Sequence, residues 1–182
     1  LRMVPGVDVA QINSSKWAIS IRGFNGQYSN KLLVLVDGRT VYTPMLSGVF
    51  WDAQNVLLED VDRIEVIRGP GATVWGANAV NGVINIITKK AKDTQRTLAV
   101  GRVTLQDRNS GALRYGGTIG SNGFYRVFGG YFDRDGSPQP GSSDGADGWH
   151  DLHGGFRSDW YISEGTMLTV QGDIYRGRLG TT

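Results

Sequence analysis

Asp133, Asp135, Asp144 and Asp147 lie in or beside the glycine-rich stretch Arg134–Gly148, the densest set of hard oxygen ligands in the chain. Calcium takes several carboxylate oxygens on flexible loops, so these four are weak candidates for a calcium site. Their spacing is not that of an EF-hand and no closing glutamate follows, so a solvated loop is the competing reading. His150 and His153 are three apart on a strand-like segment, which turns them to opposite faces and argues against a shared metal. Gly69-Pro70-Gly71-Ala72-Thr73-Val74-Trp75-Gly76 invites comparison with phosphate-binding loops. No Gly-Lys-Ser/Thr follows it, and its third glycine falls too late for GxGxxG, so it reads as a tight turn. Serine, histidine and aspartate occur without a nucleophile elbow or a paired acidic motif. The chain has no cysteine, which removes thiol catalysis, disulfides and cysteine-ligated metals. No residue can be nominated for catalysis, and no cofactor is implied.

The elements that would position such residues change character along the 182-residue chain. Glycine, at 27 residues, is about twice its usual share, which suggests many turns and closely spaced strands. A formal charge of +2 is too small to imply a nucleic-acid partner. No apolar run is long enough for a transmembrane helix, and Leu1 does not open a signal peptide. Up to about residue 91 the apolar runs are short and β-branched. Leu32–Val36 reads as a strand buried on both faces, and Asp37-Gly38 turns it into a hairpin with Val41-Tyr42. Ala18–Gly23, Asp62–Arg68 and Val83–Thr88 are further strands, the second with Ile64 and Val66 on one face. Asp52–Leu58 has an N-cap aspartate and helical spacing.

After Asp93 the segments lengthen. Arg96–Gln106, Ala112–Ser121, Gly123–Arg134, Trp149–Ile162 and Thr166–Arg178 alternate apolar and polar residues over about ten positions each, the pattern of transmembrane barrel strands. In Gly123–Arg134, Tyr125, Val127, Gly129 and Tyr131 alternate with Phe124, Arg126, Phe128 and Phe132. In Thr166–Arg178, Leu168, Val170 and Ile174 oppose Thr169, Gln171, Asp173 and Tyr175. The connections Asp107–Gly111, Ser121–Gly123 and Ser163–Gly165 are short, and the one after Arg134 is long. Such asymmetry fits periplasmic turns and extracellular loops, although a soluble antiparallel sheet also alternates. Five strands cannot close a transmembrane barrel, so the sheet is expected to be incomplete.

Five blocks occur in order over the first half: Val4-Pro5-Gly6-Val7-Asp8-Val9, Ile21-Arg22-Gly23-Phe24, Leu33–Gly38, Val61–Pro70 and Trp75–Thr88. Together they resemble the successive signatures of TonB-dependent outer-membrane receptor plugs. The resemblance implies an α+β plug with a small mixed sheet over residues 1–91. Residues 92–182 would then be antiparallel strands of an incomplete 22-stranded transmembrane β-barrel. It further implies a receptor in the outer membrane of a Gram-negative bacterium, surrounded by the lipid bilayer. Such a receptor imports a scarce nutrient such as an iron siderophore, haem or cobalamin, expected as a metal chelate. Energy comes from TonB, acting on a box upstream of this chain, and the cargo is not chemically changed. A soluble plug-like interaction module is the alternative, and a signalling receptor with an extra N-terminal domain is a third possibility.

Several residue roles follow from the resemblance. Arg22 and Arg68, in the two motifs that end in Arg-Gly, are expected to point from the plug at two barrel glutamates beyond Thr182. The cargo is expected on outward plug loops, for which two segments qualify. Asn25–Asn30 offers Asn25, Gln27, Tyr28 and Asn30, and Thr43–Trp51 offers Met45, Leu46, Phe50 and Trp51. Aromatic and apolar side chains in loops are unusual unless they pack or bind. For Trp51 both remain open, since it precedes the expected helix and could staple it.

Overall fold

A computed structural model describes residues 1–43, 48–103, 107–136 and 147–180 of the chain. The described chain forms two compact units, Leu1–Thr88 and Lys89–Thr182.

In the first unit β1 (Val7–Gln11) pairs antiparallel with β2 (Trp17–Ile21). A four-stranded mixed sheet is built from β3 (Leu32–Val36), β4 (Arg39–Thr40), β7 (Val61–Arg68) and β8 (Gly82–Thr88), in the order β4-β3-β8-β7. A two-residue pair, β5 (Tyr42–Thr43) and β6 (Gly48–Val49), lies between them in sequence. All five residues of β3 are buried, as a strand covered on both faces requires. Leu32, Val34 and Val36 join Ile19, Ile21 and Ile84 in one cluster, while Leu33 and Leu35 join Ala79 and Val83 in another. The β3–β4 hairpin turns on Asp37 and Gly38 at φ +49° and +80°, the two left-handed positions of a type I′ turn. The Asp37 carboxylate also receives the Thr88 amide and hydroxyl, both at 2.7 Å, which fastens the hairpin to the end of β8.

The helix expected over Asp52–Leu58 does not form. Two separate 3₁₀ turns, Trp51–Ala53 and Leu58–Asp60, stand in its place, with Phe50 rather than Asp52 in the cap position. Seven residues provide too few hydrogen bonds to offset helix nucleation, and the β-branched Val56 adds nothing to helix propensity. A single helical turn, α1 (Ala72–Trp75), arises instead inside the Gly69–Gly76 turn.

The second unit is a five-stranded antiparallel meander: β9 (Arg96–Arg102), β10 (Asp107–Ile119), β11 (Gly123–Arg134), β12 (Trp149–Ser163) and β13 (Thr166–Leu179). Asp107–Gly111, expected as a connection, opens β10 instead, because its residues continue the ladder against β11 and, from Ser110, against β9. Its polar residues hid that pairing from a pattern read on apolar alternation alone. The expected faces are observed. Leu113, Tyr115, Val127, Tyr131, Leu152, Phe156, Leu168, Val170 and Ile174 are exposed, whereas Arg126, Asp151, Arg157 and Asp159 on the other face are buried. Apolar side chains outward and charged ones inward is the polarity of a barrel wall in lipid. Among the described residues no helix is long and apolar enough to cross a membrane, which leaves strands unaddressed.

Candidate functional site

The segment that opens the candidate site is tightly wound. Arg22, Gly23 and Phe24 follow β2 with φ of +57°, +87° and +56°, three left-handed residues in succession. Glycine adopts such a φ freely, but arginine and phenylalanine each do so at a cost of about 1–2 kcal/mol. Phe24 is left exposed by this turn, and the Lys31 ammonium sits 3.8 Å from its ring centroid. A cation–π contact at an exposed site contributes about 0.5–1 kcal/mol and ties the two ends of the 24–31 loop together.

The two segments expected to carry cargo contacts meet in space. Gly48 on β6 lies so close to the other segment that an added Cβ would stand 2.8 Å from both Cα and Cβ of Tyr28. The Tyr28 ring meets Phe50 edge-on at 5.6 Å, and the Gln27 side-chain amide donates to the Tyr28 hydroxyl at 3.0 Å. Gln54 donates to the Phe50 carbonyl at 3.1 Å, holding the turn that follows. Asn25, Tyr28 and Asn30 are exposed, and Gln27, Phe50 and Trp51 are half-buried. Trp51 packs against the larger core cluster of this unit. Met45 and Leu46 lie outside the described residues. Burial raises the Asp52 carboxyl above its ordinary range, partly offset by the amides of Asp52 and Ala53 and by Lys16. The result is a small surface of one tyrosine, one phenylalanine and carboxamide groups, suited to stacking and hydrogen bonding rather than to chemistry.

Arg22, just after β2, and Arg68, the last residue of β7, are brought to one corner of this unit. Gly69 stands beside the Arg22 guanidinium, and Gly6, whose carbonyl accepts the Arg22 amide, stands beside the Arg68 side chain. Both arginines are exposed, and Arg68 donates to the Pro5 carbonyl at 3.0 Å. Towards the other end of β7, Arg63 bridges Asp62 and Glu65 at 2.8 Å each, and its hydrogen bond to Glu65 holds that carboxyl below its usual range.

Three of the four aspartates lie among the described residues. Asp133 alternates with Phe132 and Arg134 on β11, Asp147 is buried beyond it, and Asp144 lies outside the described residues. Among the described residues no three histidine or acidic side chains form a metal-binding group. His153 pairs with Asp151 at 3.0 Å on the inner face of β12, while His150 is exposed on the other face.

Residues 1–83 match the family model for the TonB-dependent receptor plug domain. This chain carries the plug of a TonB-dependent receptor. The vitamin B12 transporter BtuB of Vibrio cholerae is 35% identical over 162 residues, which cover 87% of this chain and 25% of that protein. The ferric enterobactin receptor PfeA of Pseudomonas aeruginosa superposes with a TM-score of 0.68 at 25% identity, over 98% of this chain and 30% of the receptor. The copper transporter OprC superposes with a TM-score of 0.74 over 99% of this chain and 28% of its own. At 20% identity that likeness speaks for the fold alone. The chain thus spans about a quarter of the length of the curated relatives it matches. The plug followed by antiparallel strands is the arrangement of these receptor barrels. The relatives named above are transporters and receptors.

Sequence reasoning named the two loops of the candidate site but missed the contact that joins them. Gly48 gave no signal beyond being a glycine two residues before an aromatic. The clasp of Asp37 on Thr88 was equally hidden, since 51 residues separate the partners.

Proposed function

We propose that this chain belongs to an outer-membrane receptor that binds a scarce nutrient outside the cell and imports it with energy from TonB. The observation that carries the reading is the union of a plug with a sheet whose outer face is apolar and whose inner face is charged. In water such a sheet would expose a row of nine large apolar side chains, whereas lipid covers them without cost. The lipid bilayer of a Gram-negative outer membrane is the environment that suits it, in a 22-stranded barrel. The protein does no chemistry on its cargo and is not an enzyme.

The cargo reading rests on Asn25, Gln27, Tyr28, Asn30, Phe50 and Trp51, with Met45 and Leu46 from the adjoining segment. Likeness to a vitamin B12 transporter and to siderophore receptors makes cobalamin and ferric siderophores the candidates, both metal chelates with large polar and planar surfaces. Arg22 and Arg68 are assigned to contact with barrel carboxylates, where a forked guanidinium suits bidentate pairing.

The test is growth and binding. Cells that depend on this receptor are supplied with cobalamin, haem or a panel of ferric siderophores as sole source, with and without TonB. Uptake of one cargo that disappears without TonB is expected. TonB-independent growth on every cargo, or recovery of the protein from the soluble fraction, would overturn the reading in favour of a soluble interaction module.

A further inference from the structure

The segment Lys89–Gln95 is gripped by side chains from two strands of the second unit, with a third strand supporting them and the backbone of a fourth packed against it. On β12 the fully buried Asp159 accepts the Ala91 amide at 2.6 Å. The same carboxylate takes Arg157 Nε on both oxygens at 3.0 Å and the Thr169 hydroxyl of β13 at 2.8 Å. From β11, Arg126 donates Nη1 to the Lys89 carbonyl at 2.6 Å. On β10, Gly116 lies flush against the segment. A Cβ there would overlap the Thr94 carbonyl oxygen and stand 2.9 Å from Gln95 Cα. The segment is also closed on itself, with the Gln95 amide and the Thr94 hydroxyl both donating to the Ala91 carbonyl, at 2.6 and 3.2 Å. Ala91 and Thr94 are buried.

We propose that this cluster is a mechanical anchor, at which displacement of residues 1–88 stops before it reaches β9. To free the segment, two charge-assisted hydrogen bonds must break together, those to the Lys89 carbonyl and the Ala91 amide. Breaking them also leaves the buried Asp159–Arg157 pair with a missing partner, which is far more costly than losing a surface contact. On the plug side β1 and β2 pair over five residues each, and the Asp37 clasp on Thr88 is only part-buried, so both yield more readily than the buried cluster around Asp159. Force along the chain therefore unravels the first unit and halts at Lys89. The proposal deepens the transport reading, in which TonB supplies the pull, but the anchor itself can be probed with any pull.

The experiment grips the intact, membrane-inserted protein at Met3→Cys, an exposed position, with any cysteine outside these 182 residues replaced by serine. Extension is recorded by single-molecule force spectroscopy. The expected trace ends after lengthening of about 30 nm, the reach of the chain up to Thr88 at 3.3–3.6 Å per residue. Gly116→Ala and Asp159→Ala should add about 2.5 nm as residues 89–95 come free. Because Asp159→Ala can disturb folding, Thr169→Val supplies a milder change. In it and in Gly116→Ala, exchange of the Ala91 amide should quicken at least tenfold while the β11 amides stay protected. An unmodified protein that releases residues 89–95 together with the plug would overturn the anchor. So would variants whose Ala91 exchange is unchanged. Loss of TonB-dependent uptake with these readouts intact would count against the transport reading and not against the anchor.

Discussion

Replacing Gly48 by alanine tests whether the two loops of the candidate site act as one surface. The new Cβ would stand 2.8 Å from the Tyr28 Cα and Cβ and 3.2 Å from its carbonyl carbon. Carbon atoms in favourable contact are about 3.5–4.0 Å apart, so the overlap is about 1 Å. No rotamer of Tyr28 relieves it, because the Cα and carbonyl carbon are backbone. The segment around Tyr28 must retreat, at a cost of about 1–3 kcal/mol, with a further 0.5–1.5 kcal/mol if the edge-on Tyr28–Phe50 contact is lost. Gly48 has no left-handed φ, so alanine regains about 0.4–1 kcal/mol by restricting the unfolded chain. The net expectation is about 1–2 kcal/mol, or five- to thirtyfold faster amide exchange in residues 25–30 and 48–53. Hydrogen exchange with mass spectrometry on the membrane-inserted protein reads this, alongside cargo binding. Gly26→Ala is the control, since a Cβ there meets nothing within 4 Å. The reasoning is refuted if Gly48→Ala leaves exchange unaltered, or if Gly26→Ala produces the same change.

Further outcomes follow from other contacts. Asp37→Ala removes both bonds to Thr88 and should cost the plug about 2–4 kcal/mol, whereas Asp37→Asn should retain part of that, measured by denaturant unfolding. Phe156→Arg places a charge on the outer face near the middle of β12 and should cost about 2–4 kcal/mol in a bilayer, seen as impaired membrane folding. Asp52 and Glu65 should show opposite pH dependence. The raised folded pKa of Asp52 penalises its ionised form, so Asp52→Asn should raise Tm at pH 7 and lose that advantage below its unfolded value near 3.9. The depressed pKa of Glu65 stabilises above its unfolded value near 4.3, so Glu65→Gln should lower Tm at pH 7, and the deficit should shrink as pH falls through the folded value.

How legible the chain was depended on whether its partners were near in sequence. Three of the long strands, β11, β12 and β13, were read to within a residue, with β11 falling on Gly123–Arg134 as expected, because inside–outside alternation is written in each strand by itself. The buried β3 and its Asp37-Gly38 turn were legible for the same reason. The Asp52 helix failed because spacing alone could not reveal a segment too short to propagate. The Asp159 cluster was invisible: Ala91, Arg126, Asp159 and Thr169 come together only through the register of β11, β12 and β13. Of the candidate site, the loops could be named from their place between strands. Their junction at Gly48 could not, since a missing side chain leaves no pattern.

The parallel pairing of β3 with β8 bears on the order of events during folding. Leu32 lies beside Gly82 and Val36 beside Ile86, across a gap of 50 residues, while β4 reaches β3 through a two-residue turn. Hairpins close in microseconds, but a parallel pair must first bear the closure entropy of the intervening loop. The β3–β4 hairpin therefore forms early and waits, its apolar strand only half covered, until β8 arrives. Throughout that interval Leu33 and Leu35 have neither Ala79 nor Val83 to pack against. This is the window in which a chaperone, or a second unfolded copy, would find the chain sticky.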